Sequence, residues 1–210
     1  MNSFSENLDS IMEQIRANLS AKDKAREKLL PLYREVIRYS STSIRAIHRQ
    51  EFDKAEGLIK SARNLLEEAG QVLAESEELR HSGYIRDAQK EYAEASITFA
   101  LVKKNPLPDT AELNIESAAY LNGMGEAVGE LRRFLLDSMR HGDMSRGEDL
   151  LSAMDEIYSV LVTMDFPDAI TGGLRRTTDN VRGILEKTRG DLTVAIQQKE
   201  LTDKLKDFQK

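Results

Sequence analysis

The chain has 210 residues, 40% of them hydrophobic and 31% charged, with a formal net charge of −6. That length holds one domain with a real core, and the acidic balance argues against a protein coated in nucleic acid while leaving room for a local basic groove. The absence of cysteine excludes disulfides and thiolate metal sites, which suits a cytoplasmic protein, and no run approaches the roughly 20 apolar residues of a membrane span. The first ten residues, MNSFSENLDS, lack the apolar stretch of a signal peptide. Only four prolines occur, so long helices are permitted. A first helical region is expected from residue 4 to about 50, bent or broken near residues 20–23 or at Pro31. A second runs from about 52 to 78, and His81-Ser82-Gly83 forms a break. The third, from about 84 to 103, stops at Asn105-Pro106-Leu107-Pro108. Asp109 or Thr110 caps a fourth that ends near His141-Gly142-Asp143. A fifth spans about 145 to 163 and stops before Phe166-Pro167; a sixth starts after Gly172-Gly173 and runs nearly to the end.

No strand-like alternation persists, and no repeat of solenoid length is visible. Long helices joined by short loops predict an all-α antiparallel bundle of about six to seven long helices, forming a single domain over residues 1–210. In the last segment, residues 193–210, Leu201, Leu205 and Phe208 share a face suited to packing or to an oligomer contact.

The first helical region carries a basic stripe. At 100° per residue, Arg34, Arg38, Ser41, Arg45, His48 and Arg49 fall within about 100° of arc, while Val36, Ile44 and Ile47 lie off it and face a core. Four guanidiniums on one face can hold phosphates, because each fork donates two hydrogen bonds to two oxygens. The alternative is a solvated face whose arginines pair with acids on neighbouring helices, and His48 taken alone reads more readily as structural than as a ligand.

Two further helices carry acids. Glu91 and Glu94 are spaced i,i+3 on the third helix; Glu126 and Glu130 are spaced i,i+4 on the fourth. Gly123, Gly125 and Gly129 crowd the same stretch of the fourth helix, each costing about 1 kcal/mol relative to alanine. A helix that keeps three glycines is one that another backbone or a substrate approaches closely. Side by side, the four carboxylates would repel unless a cation sat among them. Oxygen-only ligands suit Mg²⁺ or Mn²⁺, ions that polarise a phosphoryl group and activate water for phosphodiester hydrolysis. By spacing alone, exposed helix surface is the competing reading. Nucleophilic catalysis has little support, with three histidines, no cysteine and no Gly-x-Ser-x-Gly elbow.

Five segments, YSSTSIRAIHR (39–49), DAQKEYAEASITFA (87–100), YLNGMGEAVGELRR (120–133), MRHGD (139–143) and LRRTTDNVRGILEKTRGDL (174–192), together resemble the translin family in order and spacing. The family contains translin, which binds single-stranded nucleic acid, and translin-associated factor X, which supplies the catalytic acids of an RNase complex. The factor-X pattern has Glu-x-x-Glu on one helix and an acid followed four residues later by Glu on the next, and Glu91, Glu94, Glu126 and Glu130 match it. The match departs at Glu126, where factor X has Asp; translin proper has no acid there, so the chain is more similar to the catalytic branch.

The resemblance implies a seven-helix fold assembled into a hollow, roughly barrel-shaped homo-octamer with the basic face and the carboxylates turned inward. It implies a Mg²⁺-dependent (or Mn²⁺-dependent) endoribonuclease acting on single-stranded RNA, with Glu91, Glu94, Glu126 and Glu130 ligating metal and orienting water. Arg34, Arg38, Arg45, His48 and Arg49 would hold phosphates. The alternative is a translin-like protein that binds single-stranded RNA or DNA without cutting it.

Overall fold

The computed structural model describes residues 2–74, 77–79 and 82–208, and all regular structure among them is helical. The first region is one unbroken helix, α1 (Asn2–His48), of 47 residues and therefore about 70 Å long. The break expected at residues 20–23 is not there, because that stretch (Ala21-Lys-Asp-Lys-Ala-Arg26) is made of helix-compatible residues with no glycine. Pro31 sits inside the helix on its exposed side; Leu29, Tyr33 and Val36 around it are buried, and their packing carries the helix across the lost hydrogen bond.

Gln50, in the left-handed region at φ 59°, turns the chain into α2 (Phe52–Ala74), which packs on α1. The Ser43 hydroxyl donates to the Ala55 carbonyl across this turn at 3.1 Å. Ala55, Ala62, Leu66, Ala69 and Leu73 form the buried stripe of α2 at helical spacing. The second helix is described as far as Ala74, and Glu77–Leu79, where it was expected to continue to residue 78, form a 3-10 turn; His81, placed in the expected break, lies outside the described residues.

Next comes α3 (Gly83–Lys103), closed by Lys104 in the left-handed region just before the Asn-Pro-Leu-Pro stop. The expected fourth helix is two. Asp109 does cap a helix, accepting from the Ala111 and Glu112 N–H groups while Glu112 reaches back to the Asp109 N–H, but α4 (Thr110–Leu113) is one turn long. Asn114, left-handed at φ 53°, ends it, and α5 (Ser117–Arg140) starts afresh. Asparagine tolerates that conformation without a glycine to announce it. There follow α6 (Gly147–Val162), the single turn α7 (Asp168–Thr171), and α8 (Leu174–Phe208).

The all-α bundle stands as expected, with six long helices among the described residues and short turns between them. Helix α3 packs against α1, α2 and α5; α5 packs against α3, α6, α7 and α8; and α6 packs on α8. Tyr92, Ile97, Leu131, Leu135, Leu150 and Met154 fill the core where these helices meet. Apolar side chains are left outside it from the end of α6 into α7 (Val160, Val162, Phe166, Ile170) and in two longer rows. One is the N-terminal part of α1, with Phe4, Leu8, Ile11, Met12, Ile15 and Leu19; the other is the end of α8, with Val194, Leu201 and Leu205. The Phe208 side chain lies outside the described residues. No described helix is long and apolar enough to cross a membrane.

Candidate active site

Helix α3 is buried around most of its circumference over residues 92–98, because α1, α2 and α5 all pack on it. A helix in that position is expected to be apolar nearly all round, yet Glu94, 8% exposed, sits in the middle of this stretch. The reason it faces α5 so closely is Gly123. A Cβ there would lie 2.6 Å from the Lys90 carbonyl oxygen and 3.0 Å from the Glu94 nitrogen, so the two backbones touch only because position 123 has no side chain. A Cβ at Gly125 would lie 2.3 Å from the Thr177 methyl on α8. Gly129 has ordinary room, with Ile184 at 3.9 Å. The close approach expected from the three glycines is therefore made at two of them, once to a backbone and once to a side chain.

This seam brings together three of the four acids singled out from the sequence. Carboxylate oxygens of Glu91, Glu94 and Glu126 all lie within 4.8 Å of one another. Glu130, one turn further along α5, is engaged by His48, whose Nε2–H donates to its Oε2. The tautomer follows from the partner, since an ionised carboxylate only accepts. Lys90 Nζ donates to Glu126 Oε1 at 2.7 Å and lies 3.9 Å from Glu91.

The electrostatics follow from burial and like charge. Burial, followed by the negative charges of Glu91, Glu126 and Glu130, pushes the Glu94 carboxyl up to about 8. Burial raises Glu91 as well, with Lys90 opposing and Glu126 adding to the rise. Lys90 is pulled down by burial, but its hydrogen bond to Glu126 and the surrounding acids outweigh this and raise it, so it stays protonated. Among the described residues no N–H or O–H group donates to the Glu94 carboxylate. A half-neutralised set of oxygen ligands, one of them buried without a donor, fits a small hard cation. Glu91, Glu94 and Glu126 would hold it, with Lys90 as its competitor for Glu126.

The arginine stripe divides. Arg34, Arg38, Arg45 and Arg49 are exposed, while Val36, Ile44 and Ile47 are buried as their angular positions require. Arg38 pairs with Glu35 one turn earlier on its own helix and lies 4.6 Å from the Tyr39 ring centre. Arg45 donates to the Thr42 hydroxyl at 2.9 Å. Among the described residues Arg34, Arg45 and Arg49 make no ion pair. His48 does not share this exposed surface. Its side chain is 5% exposed and belongs to the carboxylate cluster, because it occupies the edge of the stripe nearest Ile44 and the core. Its Nδ1 is buried without a partner.

Sequence reasoning missed Lys90, and it placed His48 with the basic stripe rather than with the acids. Lys90 had a signal, since it precedes Glu94 by four residues and shares its face. The contact of His48 with Glu130 spans 82 residues and leaves no local pattern.

No family model matches the chain. An uncharacterized protein of Methanocaldococcus jannaschii is 33% identical over 196 residues, covering 91% of this chain and 85% of that protein. Among solved structures, AfC3PO in complex with duplex RNA superposes with a TM-score of 0.81 at 33% identity, covering 89% of this chain and 97% of that one. The crystal structure of AfC3PO gives 0.79 at the same identity and coverage. Apo-NeC3PO, 21% identical, gives 0.76 over 90% of this chain and 97% of that one, and shows the shared fold. With the five sequence blocks spread along this same helical frame, and a third of the matched residues shared with a C3PO chain over nearly that chain's whole length, the chain belongs to the translin family.

Proposed function

We propose that this protein is a cytoplasmic, RNA-binding, Mg²⁺-dependent endoribonuclease of the translin-associated factor X type, cutting single-stranded RNA inside a hollow homo-oligomer. The observation that carries the reading is the convergence of Glu91, Glu94 and Glu126 to within 4.8 Å at a half-buried seam. A Mg²⁺ or Mn²⁺ ion held there would supply Lewis acidity at a phosphodiester. The chain's own residues do the rest. Glu94, at the buried end, fixes the position of the site. Glu126, tied to Lys90, presents its second oxygen. Glu130, held by His48, orients water or substrate from the adjacent turn. Arg34, Arg45 and Arg49 hold backbone phosphates, and Arg38 does so at the cost of its pairing with Glu35.

RNA as the ligand class is supported by the duplex RNA in the AfC3PO complex. Assembly is supported by the exposed apolar rows on α1 and α8, which a monomer would leave in water. Octameric assembly is part of the same proposal. Sedimentation checks the assembly: replacing Leu8 and Ile15 by Asp should shift the protein to smaller species, and an unchanged sedimentation coefficient would remove α1 from the interface.

Labelled single-stranded RNA incubated with Mg²⁺, with EDTA, and with the Glu126→Gln variant tests the chemistry. Metal-dependent cutting by the wild type alone is expected; intact RNA in every lane would discard the nuclease. One observation favours a second reading, a translin-like protein that binds single-stranded RNA or DNA without cutting it. Lys90 already neutralises part of the cluster from 2.7 Å, and a cation-free seam needs such a partner.

A further inference from the structure

Next to the carboxylates, between α3, α5 and the junction of α7 with α8, lies a cavity of about 400 Å³. Glu126 and Lys90 form part of its wall, so it shares two side chains with the acid cluster; Arg86, Asn122, Arg176 and Thr177 form much of the remainder. The floor is rigid. Asn122 Nδ2 donates to the Ala118 and Thr171 carbonyls, both at 2.8 Å, and its Oδ1 accepts from the Thr177 hydroxyl at 2.7 Å. Every polar atom of Asn122 is thus engaged in holding α5 to the α7–α8 junction. The rim is Gly172, left-handed at φ +64°, where an added Cβ would sit 3.3 Å from Arg86 Nη1. Glycine is favoured there by the backbone, and a side chain would press on the guanidinium lying against it.

What distinguishes the two arginines is that they line one cavity, since Arg34, Arg45 and Arg49 on α1 also make no ion pair among the described residues. The chain has 36 acids for 30 lysines and arginines, yet among the described residues neither Arg86 nor Arg176 makes an ion pair. Lys90, the third cation in the wall, is already committed to Glu126. Two unpaired planar forks on one cavity are suited to a phosphate, which each can grip through two oxygens. The cavity also reaches Gly173, immediately before α8, a helix of 35 residues whose first N–H groups have no intrahelical partner. A cavity of this size lies in the range of small-ligand pockets and is far larger than one phosphate. Asp87, also in its wall, offers acceptors to sugar hydroxyls or a base amino group.

We propose that this cavity is a nucleotide subsite: it takes one nucleoside monophosphate unit of the strand, its phosphate between Arg86 and Arg176, and so presents the neighbouring bond to Glu91, Glu94 and Glu126. The inference rests on the nuclease reading for what happens at that bond; occupancy of the cavity does not.

Equilibrium dialysis of radiolabelled AMP against the whole protein tests it, at low salt and with EDTA, so that neither metal nor cleavage enters. Wild type, Arg86→Ala, Arg176→Ala, the charge-keeping Arg86→Lys and Arg176→Lys, and Lys54→Ala as a distant control are compared, each first shown by thermal melting to be folded. AMP should bind the wild type and the control alike, bind each alanine variant about tenfold or more weakly, and bind the lysine variants in between. Unlabelled inorganic phosphate and adenosine should each displace it less well than AMP. Equal AMP affinity in wild type and both alanine variants, or no AMP bound at all, overturns the proposal. So does displacement by inorganic phosphate as effective as by AMP, which would make the cavity an anion site only. A protein that binds AMP here but leaves RNA intact keeps the subsite and loses the nuclease. A protein that cuts RNA with its AMP binding indifferent to both arginines loses only the subsite.

Discussion

The seam between α3 and α5 and the outer face of α1 hold charge in opposite ways. At the seam, acids from two helices are packed close to one another, Glu94 buried and Glu91, Glu126 and Glu130 half-buried, with Lys90 and His48 as their cationic or hydrogen-bonding neighbours. On α1 the arginines stand in water, and among the described residues the one of the four that makes an ion pair is Arg38, with Glu35 of the same helix. Exposed charges of that kind contribute little to stability and are free to exchange partners. Buried like charges are costly, and their arrangement persists only because the surrounding packing enforces it. The contrast separates a rigid, electrostatically frustrated site, suited to a cation, from an adaptable basic surface, suited to a passing polyanion.

The sharpest way to break that contrast is to remove one acid. Glu126→Gln keeps the size of the side chain and its ability to accept from Lys90 but removes a charge. Cleavage of labelled RNA in Mg²⁺ should fall to background, while binding measured in EDTA stays the same or tightens, because one negative charge near the strand is gone. Cleavage at the wild-type rate would return the seam to the class of ordinary helix contacts.

Second in size is the pH response of the seam. Glu94 is raised from 4.5 to about 8 by burial first, then by Glu91, Glu126 and Glu130, with Lys90 opposing. Between those two values the folded chain holds a proton that the unfolded chain has released. The stability this group contributes is therefore present at acid pH and is lost as pH rises through that window. One pKa unit corresponds to about 1.4 kcal/mol, so even a third of the shift gives a measurable slope. Without metal, the wild type should lose melting temperature between pH 5 and pH 8, and Glu94→Gln should flatten that loss. Mg²⁺ should restore much of it at pH 8, because it binds only the ionised form. Parallel wild-type and Glu94→Gln curves would show that the carboxyl is not strained.

A smaller effect sharpens the geometric half of the comparison. Gly123→Val places new carbon 2.6 Å from the Lys90 carbonyl and 2.7 Å from the Ala93 Cβ, forcing α3 and α5 apart. Overpacking of this kind costs about 1–3 kcal/mol, and the separation should weaken metal binding along with it. Gly129→Ala on the same helix meets only Ile184 at 3.9 Å and should gain about 1 kcal/mol of helix propensity. Thermal melts of the pair should move in opposite directions; two shifts of the same sign would mean that glycine in α5 is tolerated rather than required.

How much of this was legible in the sequence differs between the two regions for a physical reason. Helical period and stop signals are local, so the long helices, the Asn-Pro-Leu-Pro stop and the buried positions of Val36, Ile44 and Ile47 could all be read directly. The quartet of acids could be named from spacing and family resemblance. Their burial could not, because it depends on α1, α2 and α5 closing around α3. Asn114 split a helix without a glycine, and the packing around Pro31 carried a helix that local rules would have interrupted. His48 looked like one more member of a basic face because a helical wheel gives direction and not depth. It lies at the border of core and solvent, and the partner that decides its role comes from α5.

The basic face itself gives the smallest effects, and they should be graded. Arg34, Arg45 and Arg49 make no ion pair among the described residues, whereas Arg38 must give up Glu35 to reach a phosphate. In a salt series of single-stranded RNA binding, each alanine variant of the first three should reduce the slope of log K against log salt by roughly 0.7, one phosphate contact. Arg38→Ala should reduce it less, since part of that charge is already neutralised. The Arg38 side chain also holds Glu35 well below the usual carboxylate range through its hydrogen bond, so the variant leaves a free acid on the same face. A double substitution of Arg38 and Glu35 to alanine should therefore bind better than Arg38→Ala alone. If all four arginines gave the same loss, the pairing seen on α1 would have no bearing on what that face binds, and the stripe would act only through its total charge.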